Sequence, residues 1–98
     1  MMDKATIQIR ETLSLRNGIV SVGLVQMSCG IDPEENFENT IENVRTAAKK
    51  GAQIICLQEL FRSQYFCQKE DADFFSLAEK IPGPSTQRLE KLAGELKI

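Results

Sequence analysis

A chain of 98 residues, 42% apolar and 27% charged, has the composition of one small globular domain or of a piece of a larger one. Its formal net charge of −2 argues against a nucleic-acid or anionic-membrane footprint, and no apolar run approaches the roughly 20 residues of a membrane span. Three cysteines, no Cys-x-x-Cys pair and no histidine leave no zinc pattern and no Ser-His-Asp or Cys-His chemistry, so no metal and no cofactor is expected.

Residues 1–18 read as a leader set apart from residues 19–98. In IQIRETLSLR the apolar Ile7, Ile9, Leu13 and Leu15 fall at odd positions, with Glu11 breaking the series. That alternation suits an edge strand, and a disordered leader accounts for it equally well. Asn17-Gly18 marks a turn. The leader lacks the long apolar core of an export signal, so cytoplasmic residence and free thiols are expected.

Ile19–Met27 is a short, Val-rich run and reads as a buried strand, with Gly23 allowing close packing. A helix follows from Asp32. Asp32 is the N-cap, Pro33 the first helical residue, and Glu35 the reciprocal member of a capping box. Phe37, Ile41, Val44 and Ala48 form its apolar stripe, and Gly51 its left-handed end. The run AQIICLQ is a second strand, with Cys56 expected as packing. Strand, helix, strand predicts a parallel β-α-β unit whose sheet is covered on both faces. A loop over residues 60–84 holds a short helix near Asp71–Glu79 and a rigid turn at Pro82–Pro84. Ser85 caps a last helix lined by Leu89, Leu92, Ala93 and Leu96. Two strands make a thin sheet, so the fold reads as an incomplete α/β domain.

Ligands of open parallel sheets sit beyond the carboxyl ends of the strands, which is where Glu59 falls. Leu57, Leu60 and Phe61 would desolvate this acid and raise its pKa toward a proton-shuttling range. Capping a turn or pairing with Arg62 explains Glu59 as well. Phe61, Tyr65 and Phe66 either wall a pocket or fill space under the loop. Cys67 has no identified activating cation and is not promoted to nucleophile. Glu70, Asp71 and Asp73 suit a cationic amine or a solvated loop, and no phosphate-binding glycine pattern occurs.

The stretch VGLVQMSCGIDPEENFENTIENVRTAAKKGAQIICLQELF, with PGPST before the last helix, resembles the N-terminal part of the nitrilase, or carbon–nitrogen hydrolase, superfamily. ELFRSQYFCQ is similar to its N-carbamoylputrescine amidase branch. The resemblance implies the β-α-β-α N-terminal portion of an α-β-β-α sandwich and a thiol amidase using a Glu-Lys-Cys triad. Glu59 matches the glutamate, the general base; Tyr65 and Phe66 are candidate substrate contacts. The implied partner is a small carbamoyl-amine or amide, with no nucleic acid or membrane, in a homo-oligomer of the full-length enzyme. No lysine or cysteine here matches the other two triad members, which the resemblance places beyond Ile98. The chain alone is therefore expected to be inactive. Alternatives are a β-ureidopropionase or ω-amidase branch, a remnant or module pairing through its sheet edge, and a receiver-like domain, which would need acids after the first strand.

Overall fold

The computed structural model describes residues 5–15, 18–66 and 70–98, with side chains from residue 18 onward. In chain order these form β1 (Ala5–Leu15), β2 (Gly18–Met27), α1 (Pro33–Lys49), β3 (Ile54–Leu57), a short 3-10 helix (Ala72–Leu77) and α2 (Pro84–Leu96). Asn17 of the expected turn and the thiol of Cys67 lie outside the described residues, and Gly18 is the first residue of β2.

The sheet has the order β1-β2-β3. β1 runs antiparallel to β2, from Ala5 opposite Met27 to Leu15 opposite Gly18, with a register shift between Glu11 and Ser14. β2 and β3 are parallel, pairing Val22 with Ile54 through Val25 with Leu57. The parallel pair and its connecting helix are the expected β-α-β unit. Only four residues of β3 are strand, but glutamine side chains extend the pairing at both ends. Gln53 Oε1 accepts from Ser21 N at 3.1 Å, and Gln58 Oε1 accepts from Met27 N at 2.6 Å. Gln53 N also donates to Ser21 O at 2.8 Å.

α1 begins as its sequence dictates. Asp32 is the N-cap and Pro33 the first helical residue, but Asp32 Oδ1 accepts from Glu34 N at 2.9 Å rather than from Glu35. At the far end Gly51 has φ +97°. There Gly51 N donates to Ala48 O and Ala52 N to Ala47 O, the two bonds of a Schellman turn.

The buried side of α1 is rotated from the expected stripe. Asn36, Phe37, Thr40, Val44 and Ala47 are buried, whereas Ile41 and Ala48 are half-buried. Small side chains win the central positions because α1 comes very close to β2 at Gly23. A Cβ on Gly23 would lie 3.0 Å from Ala52 Cβ and 3.4 Å from Ala47 Cβ. Ala47, Ala52 and Val25 form the core there, with Ile55 and Leu57 against it. Thr40 is tolerated because its hydroxyl donates to Asn36 O at 2.9 Å.

Among the described residues the helices cover one face of the β2–β3 pair, and the second covering layer that the apolar strands call for is not supplied within the 98 residues. Gly23, Val25 and Met27 are buried, but Leu24 is 40% and Ile54 57% exposed, and Cys56 is exposed beside them. Cys56, expected as packing, is exposed on this face within the 98 residues. Its strand position faces outward because alternate residues take opposite faces and α1 lies on the other one.

α2 leans on α1 rather than on the sheet. Arg45 makes a two-pronged ion pair with Glu95 at 2.9 and 3.1 Å, and this bond holds the Glu95 carboxyl below its usual range. Arg88 reaches Glu34 and Glu38 while its guanidinium stacks 4.1 Å above the Phe37 ring. Leu92 is buried, with Leu89, Ala93 and Leu96 half-buried, as the spacing predicts. Ser85, expected as the cap, is instead the second helical residue, and Gly83 holds the cap position. Among the described residues no helix is long and apolar enough to cross a membrane.

One exchange made at two glycines should have opposite signs. Gly23→Ala drives a methyl against Ala47 and Ala52, which have no rotamer to yield, and is expected to destabilise by about 1–3 kcal/mol. Gly94→Ala in α2 meets open space and should stabilise by about 1 kcal/mol. Asp32→Ala should cost about 1 kcal/mol through the lost cap. Denaturant midpoints at unchanged slope read all three; a stabilised Gly23→Ala protein would show that α1 is free to lift from the sheet.

Candidate functional site

Glu59 lies two residues past the carboxyl end of β3, on the loop that carries the chain away from the sheet. This loop is held by its carbonyl groups, one after another. Gln58 Nε2 donates to Leu60 O at 2.8 Å. The Cys29 thiol lies 3.6 Å from Leu60 O and 3.4 Å from Phe61 O, within reach of both acceptors. Asn36 Nδ2 donates to Arg62 O at 2.9 Å.

Asn36 is 1% exposed and satisfied at both ends of its amide. Its Oδ1 accepts from Gly30 N at 2.8 Å, and Nδ2 donates to Gly30 O at 2.9 Å as well as to Arg62 O. One side chain thus ties the exit of β2 to the exit of β3. Such a buried amide is costly unless every group is paired, and here each is. Phe61 completes the attachment by packing its ring 5.9 Å from that of Phe37 on α1. Gln64 Nε2 adds a bond to Cys29 O at 3.3 Å.

Beyond Phe61 the loop is clamped to α2. Arg62 pairs with Glu79, and Glu79 in turn accepts from Ser85 N at 3.2 Å and Ser85 Oγ at 2.9 Å. The carboxylate of Glu79 thereby serves the free amides at the start of α2, where Gly83 has no side chain to do so. Thr86 Oγ1 accepts from Gly83 N at 3.3 Å.

The carboxylate of Glu59 itself is exposed, and no partner for it is seen among the described residues. This corrects two expectations. Glu59 is not buried by its apolar neighbours: it is exposed, while Leu57 packs against the Val25–Ala47–Ala52 core and the ring of Phe61 against Phe37. Nor does Arg62 pair with Glu59, since Glu79 takes that guanidinium.

Glu59 lines a groove of about 460 Å³ together with Phe61, Phe66, Phe74, Phe75 and Ile81. Phe66 therefore shares a wall with the acid, and its ring packs 6.2 Å from that of Phe74. Tyr65 is 61% exposed and lines different hollows, one beside Ile31 and Asp73 and one beside Cys29 and Gln58. Asp71 caps the 3-10 helix by accepting from Asp73 N at 3.0 Å, and Glu70 is exposed. Among the described residues no group of three or more acids and cysteines could hold a metal ion.

Sequence reasoning passed over Gln58, and it placed Cys29 at the carboxyl edge of the first strand without a role. One available signal was the placement of polar side chains directly after two apolar strands, where backbone groups lose their ladder partners. Asn36, directly before Phe37 on the buried side of α1, carried a similar signal.

Comparison with known proteins identifies the family. The model of the family described as carbon-nitrogen hydrolase matches residues 21–98. An N-carbamoylputrescine amidase of Oryza sativa subsp. japonica is 45% identical over 80 residues, covering 81% of this chain and 27% of the relative. That of Arabidopsis thaliana is 40% identical over 89 residues, 90% of this chain and 29% of the relative. Omega-amidase NIT2 of Xenopus tropicalis is 40% identical over 77 residues, 79% of this chain and 26% of the relative. The chain thus spans little more than a quarter of the length of the curated relatives it matches. No solved structure gives a significant match. With the match running from the middle of β2 through the acid-bearing loop to the end of α2, the chain belongs to the carbon-nitrogen hydrolase family.

Proposed function

We propose that the polypeptide containing this chain is a thiol-dependent amidase that hydrolyses N-carbamoylputrescine, with Glu59 as its general base. One observation carries this reading: Glu59 stands free at the carboxyl edge of the parallel pair, on a loop whose next three carbonyls are all tied down. An acid on so fixed a backbone is suited to meet a reacting group at a set distance. Its exposure leaves it open to a thiol brought by residues outside these 98. In this reading Glu59 takes the proton of that thiol, and the thiolate attacks the carbamoyl carbon. A lysine, also from outside the 98 residues, stabilises the oxyanion. Glu59 then gives that proton to the leaving nitrogen as its bond to the carbamoyl carbon breaks, and a thioester remains beside the regenerated carboxylate. Water, deprotonated by the same carboxylate, attacks the thioester; the C–S bond breaks, the proton returns to the sulfur, and the carbamic acid released falls apart to carbon dioxide and the second nitrogen product. One N-carbamoylputrescine and one water yield putrescine, carbon dioxide and ammonia.

Phe66 on the shared groove is proposed to contact the substrate; Tyr65 would do so only if the substrate extends beyond that groove. The fold of the whole domain is proposed to be the α-β-β-α sandwich, which would supply a second layer for the open face at Leu24 and Ile54, and the enzyme a homo-oligomer. The likeness to omega-amidases favours a second reading, in which the same acid serves hydrolysis of an ω-amide such as α-ketoglutaramate.

The 98-residue chain alone is expected to turn over none of these substrates. In the complete polypeptide, Glu59→Gln should lower kcat by about 10²–10⁴-fold, the usual contribution of a positioned acid–base group. Assays against N-carbamoylputrescine, β-ureidopropionate and α-ketoglutaramate decide the substrate. Undiminished turnover by E59Q would remove Glu59 from the reaction, and turnover of only the second or third compound would move the protein to another branch.

A further inference from the structure

We infer that Gln58 is a positioning residue for Glu59, setting where the carboxylate stands relative to the sheet. The inference rests on the reading of Glu59 as the base. Gln58 precedes Glu59, and its side chain reaches past Glu59 to donate to Leu60 O at 2.8 Å. The backbone of Glu59 is thus enclosed in a ring closed by one hydrogen bond. The other end of the same amide accepts from Met27 N at 2.6 Å, the last residue of β2. The ring is therefore referenced to the sheet and not merely to itself.

The two bonds demand opposite chemistry at the two atoms. Met27 offers an N–H and needs an oxygen; Leu60 offers a carbonyl and needs an N–H. A glutamine meets both at this reach. Asparagine is one methylene shorter, glutamate would set an oxygen against the Leu60 carbonyl, and methionine would keep the shape and lose both bonds. Gln58 also donates toward Cys29 Sγ at 3.7 Å, so it joins the group of side chains that pin the loop.

The protein contains its own control. Gln53 stands at the other end of β3 and makes the same kind of bond to β2, Oε1 to Ser21 N at 3.1 Å, but lies six residues from Glu59. If the glutamines only tied the strands together, loss of either should leave kcat per folded molecule unchanged. If Gln58 positions the base, its loss alone should reach the chemistry.

The experiment compares Gln58→Met, Gln58→Glu, Gln53→Met and Glu59→Gln in the complete polypeptide, under conditions where each is folded by circular dichroism. Displacing a reacting group by an ångström costs about 10²-fold in rate, so both Gln58 variants should lose about 10–100-fold in kcat with KM changed by less than about twofold. Gln53→Met should keep kcat per folded molecule. Equal kcat in the Gln58 and Gln53 variants overturns the inference, as does failure of both Gln58 variants to fold while Gln53→Met folds, since Gln58 would then be structural. The reading beneath it fails separately: full activity of E59Q removes the base itself, whereas an inactive E59Q beside fully active Gln58 variants removes only the positioning role.

Discussion

The contact of α1 with β2 at Gly23 governs how this chain is arranged. No side chain stands between strand and helix there, and Ala47 and Ala52 close the space from either side of the helix end. Close approach of the backbones brings Asn36, near the start of α1, within reach of the loops leaving both β2 and β3. It also sets Phe37 under Phe61 and presents Phe37 to Arg88 of α2. A bulkier strand residue would push the helix outward, and the carbonyls of Gly30 and Arg62 would no longer share one amide.

From that contact the rest follows by hydrogen bonding rather than by apolar burial. The acid-bearing loop buries few large side chains, yet Leu60, Phe61 and Arg62 each have a carbonyl engaged by a side chain from another part of the chain or from Gln58. A loop fixed this way holds its course while leaving one side chain unengaged. The Arg62–Glu79–Ser85 chain of contacts extends the same principle to α2, and it accounts for why Arg62 is unavailable to Glu59.

Much of this architecture was legible in the residues. Asp32, Pro33 and Gly51 delimit α1 because caps and turns are local, and the β-α-β order is written in the alternation of short apolar runs with one amphipathic helix. The resemblance to carbon–nitrogen hydrolases was equally plain, resting on runs such as GAQIICLQELF and PGPST. The expectations that failed concern surroundings. Cys56 was read as packing because apolar runs do not reveal which faces this stretch of chain itself covers, and Glu59 was read as desolvated because its sequence neighbours are apolar, although neighbours along a chain point different ways.

The sequence by itself determined the β-α-β order, the last helix and the family, since each depends on spacing within a few residues or on matched motifs; it left β1 open between an edge strand and a disordered leader. Only the tertiary structure decided that Arg62 belongs to Glu79, that Phe66 and not Tyr65 shares a groove with Glu59, and that Gln58, Cys29 and Asn36 converge on one loop. Those facts arise from contacts between residues up to 32 positions apart, and such distances are set by how the helix packs on the strand, which no local pattern records.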